Sequence, residues 1–140
     1  MLPPDPDAHR PRQRLTGLRN GLLQHHKVLL DSERATYEHD VERVTSPNHL
    51  LSLVLHDPWF AWLRELSQLV VLIDETLDAG EEPLTMAHAD RLMEQARQLL
   101  TPEEAGTGFA RRYFEALQRD PDVVIAHSRM MKIFAALGLN

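Results

Sequence analysis

The sequence predicts an all-α fold: a helical bundle of four principal helices plus short helical segments. Two observations carry this. Four times a residue that caps helix N-termini stands directly before proline: Ser46-Pro47, Asp57-Pro58, Thr101-Pro102 and Asp120-Pro121. Proline suits the first helical position, where its missing N–H would have no intrahelical partner, and the residue before it accepts from the next free N–H groups. In addition, the apolar residues recur at spacings of three and four, and no segment alternates with the period of two that a strand requires.

Residues 1–12 read as a flexible, proline-rich lead, and residues 13–140 as a single helical-bundle domain. A long helix is expected from Arg14 to Val44, with Leu15, Leu18, Leu22, Leu30, Val41 and Val44 on one side. Gly17 and Gly21, four residues apart, allow another helix to approach closely. Ser46-Pro47 opens a short helix bearing Leu50, Leu51 and Val54, which restarts or kinks at Asp57-Pro58.

The next helix has the most continuous seam. Trp59, Leu63, Leu66, Val70, Ile73 and Leu77 follow one another at steps of four and three, and Gly80 ends the run. Trp62 and Leu69 lie off this seam and either widen the core face or meet a partner, so they are the candidate interface residues. Thr85 caps a helix with Ala89, Leu92, Met93, Ala96 and Leu99 inward. Thr101-Pro102-Glu103-Glu104 has the form of a capping box and predicts one short turn before Gly106. Phe109, Tyr113 and Leu117 mark another helix, and Asp120-Pro121 opens the last, with Val123, Met130 and Phe134 inward.

Composition excludes several functions. The chain of 140 residues has no cysteine, so disulfides, thiolate metal sites and a cysteine nucleophile are ruled out. The longest aliphatic run, Leu69 to Ile73, is far too short to span a membrane, and the N-terminus lacks the apolar stretch of a secretory signal. A cytoplasmic protein is expected. Up to Lys27, five cationic residues (Arg10, Arg12, Arg14, Arg19 and Lys27) stand against Asp5 and Asp7, a local +3 within a chain of net charge −6. With no aromatic residue nearby to stack on bases, this arm is expected to dock on the chain's own acidic body, not on nucleic acid.

No Gly-x-Gly-x-x-Gly, Gly-x-Ser-x-Gly, Walker, His-Glu-x-x-His or Glu-x-x-His sequence occurs. What remains is polar residues at positions where apolar ones are expected. His26, Glu33 and Tyr37 continue the row of Leu22, Leu30 and Val41. His127 falls between Val123 and Met130, and Asp74 comes to the edge of the core. His26, Glu33, Tyr37, Asp74 and His127 are therefore the candidate ligand-binding residues. Helices of a bundle project such groups toward a common axis. His26, Glu33 and His127 form a possible transition-metal set, and a histidine pair is a possible haem ligand set. A buried Glu33–histidine pair would serve proton transfer if a cleft exposed it. The plainer reading is a hydrogen-bonded core network, with no cofactor and no catalytic residue. The chain is then expected to act through protein contacts, with a partner protein or with itself as a homodimer.

Overall fold

A computed structural model describes residues 9–79 and 84–138. Six α-helices run in the order α1 (Arg10–Asp40), α2 (Pro47–His56), α3 (Arg64–Asp78), α4 (Met86–Leu99), α5 (Gly108–Arg119) and α6 (Pro121–Ala136). A 3-10 segment, Pro58–Leu63, lies between α2 and α3. Among the described residues there is no strand, and no helix is long and apolar enough to cross a membrane. The architecture is the expected all-α bundle.

Helix α1 is its hub. The helix packs against α3, α4, α5, α6 and the 3-10 segment, while α2 rests chiefly on the 3-10 segment. The helix starts at Arg10 with Pro11 in its first turn and ends at Asp40, so both ends lie four residues before the expected ones. Within the lead assigned to residues 1–12, residues 1–8 lie outside the described region and Arg10–Arg12 already belong to α1. Val41 is the C-terminal flanking residue and is exposed, which removes it from the core row. The basic arm docks on the chain itself: Arg14 pairs with Asp90 at 2.7 Å, Arg19 with Asp74, and Arg12 donates to the Leu77 carbonyl at 2.9 Å.

Three of the four cap–proline pairs open helical segments as expected. The Ser46 hydroxyl accepts from the His49 N–H at 3.0 Å, and the Asp57 carboxylate from the Trp59 N–H at 2.8 Å. Asp120 accepts from the Asp122 N–H at 2.9 Å, and Thr85 caps α4 through the His88 N–H at 3.1 Å. Thr101-Pro102 is the exception. The Thr101 hydroxyl donates back to the Arg97 carbonyl at 2.9 Å, satisfying an orphan acceptor at the C-terminus of α4. It caps nothing, and the chain makes only a turn, closed by Gly106 N–H to the Glu103 carbonyl, before α5.

The segment after Asp57 corrects the seam drawn through Trp59. In a 3-10 helix, residues three apart eclipse one another. Phe60 and Leu63 therefore share the buried side, while Trp59 and Trp62 share the half-buried one. From Leu66 onward α3 follows the expected seam, with Leu66, Val70 and Ile73 buried. Leu69 is buried as well, at 3% exposure, and the Trp62 ring lies 5.1 Å from that of Phe109. Both candidate interface residues thus belong to the monomer's own packing and form no solvent-facing strip.

The core is continuous, from Leu15, Leu18, Leu22 and Leu29 of α1 through Leu66 and Ile73, Met93 and Ala96, to Met130 and Phe134. Gly21 lies where α6 comes closest: a Cβ there would sit 2.7 Å from Ile133 Cδ1. At Gly17 a Cβ would meet nothing within 4 Å, so only one of the two glycines serves close approach.

Candidate functional site

The polar groups of α1 are set by which residues its buried side selects. At 3.6 residues per turn, each step of four carries a row about 40° round the helix, whereas alternating steps of three and four keep it in place. The row Leu15, Leu18, Leu22, His25, Leu29 alternates and is buried throughout. The row Leu22, His26, Leu30 takes only steps of four and ends at the half-buried border. His25, at 2% exposure, is therefore the core histidine, where His26 was expected.

His25 is one end of a chain of three side chains. Its Nε2 lies 2.9 Å from the Tyr113 hydroxyl, and that hydroxyl lies 2.7 Å from Nδ1 of His127. The chain ties α1, α5 and α6 together at one point. Its rings pack as well as hydrogen-bond: His25 and Tyr113 meet edge-on at 5.6 Å, and Tyr113 and His127 lie 5.6 Å apart. Phe109 and Trp62 extend the aromatic file toward the 3-10 segment.

A tyrosine hydroxyl has one proton to give and lone pairs to receive, so full satisfaction requires it to donate to one imidazole and accept from the other. This requires the accepting imidazole to be neutral, and the chain is uncharged when both are. Burial favours this state: it lowers His25 from 6.5 to about 4, helped by the nearby His127 and then His26, while the backbone of Ala126 pulls the other way. His25 Nδ1 is buried without a hydrogen bond of good geometry, so the Ala126 group supplies electrostatic support only. Burial also lowers His127 and raises the Tyr113 phenol, so the chain carries no charge at neutral pH.

The other candidates lie apart. His26 Nε2 faces the Ser67 hydroxyl at 2.8 Å, and burial lowers its pKa. Glu33, its side chain 7% exposed, accepts from Arg119 at 2.6 Å. Tyr37 donates to Glu42 at 3.1 Å, with burial first and that hydrogen bond second pushing its phenol up. Asp74 is held by Arg19. Each has its own partner, so His26, Glu33 and His127 do not converge as a metal or haem ligand set. Among the described residues no three His, Asp or Glu side chains do so. Nor does Glu33 meet a histidine, which removes the pair considered for proton transfer. The space beside His25, lined by Gln24, Ala126 and Arg129 among others, is about 30 Å³, room for water but not for a substrate. A larger open groove, about 490 Å³, lies elsewhere, between α3 and α4, with Gln68, Gln95 and Gln98 over Leu69, Leu72 and Leu99.

A second feature is on the surface. Helix α2, PNHLLSLVLH, is mostly apolar, yet only Leu53 is buried, and Leu51 and Leu55 are 55% and 54% exposed. It is also the only α-helix among the described residues without an Asp, Glu, Lys or Arg. The sequence carried this signal in Leu50, Leu51, Leu53, Val54 and Leu55, which cover more than half of the circumference of a ten-residue helix. No protein-family model, curated protein or solved structure matches the chain.

Proposed function

We propose that this chain acts through protein contacts, with α2 as the contact helix and a second copy of the chain as its partner. One observation carries the reading: the apolar side of α2, formed by Leu50, Leu51, Leu53, Val54 and Leu55, is wider than its neighbours cover, and Leu51 and Leu55 are left exposed. The apolar side of a helix normally packs against a core or a partner. An isologous pair brings identical surfaces together, so a charge near the two-fold axis faces its own like. Helix α2 has no formally charged side chain in a protein of net charge −6, which makes it the surface best suited to self-pairing.

Light scattering across a concentration series tests this. A mass rising from 16.0 kDa toward twice that value at micromolar concentrations is expected. Leu51→Glu with Leu55→Glu, both at exposed positions, should hold the protein at monomer mass with an unchanged far-UV spectrum. A parent protein that stays monomeric at every concentration would overturn the reading, as would an assembly indifferent to the two substitutions.

A further inference from the structure

We propose that the His25–Tyr113–His127 chain is an acid-sensitive clasp, which holds α5 against α1 and α6 while at least one of the two histidines is neutral and releases it when both are protonated. The geometry supplies the mechanism. With both imidazoles neutral, the Tyr113 hydroxyl donates to one ring nitrogen and accepts from the other. One added proton is accommodated, because the charged imidazole donates to the hydroxyl and the hydroxyl donates to the neutral one, but a second proton leaves both facing nitrogens as donors. Two N–H groups then point at one oxygen, and the phenolic proton is left without an acceptor in a buried place.

No countercharge is present to offset the new cation. The titratable and charged groups facing His25 are His26 on α1, Tyr113 on α5, and His127 and Arg129 on α6. None of them is an acid. The helix released is α5 because it buries only Phe109, Tyr113 and Ala116, so one of its three anchors is the clasp itself. Helix α6 keeps Val123, Ala126, Met130 and Phe134 in the core whatever happens to His127.

The direction in pH follows from the protonation states. With the clasp closed His25 titrates near 4, and once exposed it returns toward 6.5. The open form therefore binds more protons between those values. Stability of the closed form is complete above about 6.5 and declines as pH falls through the window toward 4. His127 is lowered in the same sense and adds to the effect.

Trp62 reports the motion because its ring lies against Phe109, the first anchor of α5. In a Trp59→Phe background, which leaves Trp62 as the only tryptophan, emission and far-UV circular dichroism would be followed from neutral pH to about pH 4. Expected is a reversible emission shift below about pH 6.5, with the helical signal retained. His25→Gln with His127→Gln, whose amides bond to Tyr113 but do not titrate, should abolish the shift. Should that pair not fold, His127→Gln alone relieves the repulsion on His25 and should reduce the shift at every pH in the window. A flat emission curve overturns the clasp. So does loss of emission and helix together in one step, or a shift unchanged in the glutamine variants.

Discussion

The two halves of α1 are built on one periodic row but solve burial differently. The N-terminal half buries Leu15, Leu18 and Leu22, which make no hydrogen bonds through their side chains and fit wherever volume allows. The C-terminal half buries Leu29 and, around it, the polar residues His25, Ser32, Glu33 and Tyr37. Three of these are answered by particular atoms elsewhere: the Tyr113 hydroxyl, the Arg119 guanidinium and the Glu42 carboxylate. An aliphatic stripe attracts any apolar face, whereas a hydrogen-bonded one accepts only the arrangement that satisfies it. The first half supplies cohesion. The second fixes how α5 and its junction with α6 are placed.

The largest test of this contrast is in the aliphatic half. Leu18→Ala or Leu22→Ala, each at a fully buried site, should cost ~2–5 kcal/mol in a denaturant titration, through lost transfer energy and the cavity left behind. A smaller cost would mean that this half repacks freely and contributes less cohesion than its burial implies.

In the polar half, Arg119→Met keeps most of the side-chain volume but strands the Glu33 carboxylate, with an expected loss of ~1–3 kcal/mol. Glu33→Gln in the same background should recover part of that loss, because an amide is less costly to bury than an unpaired charge. Without such recovery the pair is not the selective contact described. The smallest effect concerns the two glycines. Gly17→Ala should stabilise by up to about 1 kcal/mol, since a methyl there meets nothing and helix propensity improves. Gly21→Ala should show less benefit or a loss, because Ile133 must move aside. Equal gains at both would show that α1 and α6 do not meet closely at Gly21.

The fold class was legible because cap–proline pairs and apolar spacing are local properties of the chain. Ser46-Pro47, Asp57-Pro58 and Asp120-Pro121 announce helical segments whatever lies around them. Thr101-Pro102 misled because its hydroxyl had two possible uses, and the unsatisfied carbonyl of the preceding helix took it. The site was legible only in kind. A polar core on α1 and the place of His127 beside the core were evident, but the neighbouring histidines His25 and His26 differ by one position. Choosing between them required the full row, in which Leu15, Leu18, Leu22 and Leu29 place His25 inside. Tyr113 served only to mark a helix, because nothing in the sequence of α5 indicates which helices its hydroxyl will meet.

The 3-10 segment sets how α3 faces the core. At three residues per turn against 3.6, six residues of this winding turn the chain by about 120° more than an α-helix would, and lengthen it by about 3 Å. Since it runs into α3 without a loop, that extra rotation passes undiminished to Leu66, Val70 and Ile73. The segment thus acts as a phase shifter between α2 and the rest of the bundle. Deleting one residue from it would leave α2 and α3 intact as helices and turn the seam of α3 away from α1. The six residues of Pro-Trp-Phe-Ala-Trp-Leu are therefore under a constraint on length as strict as any constraint on their side chains.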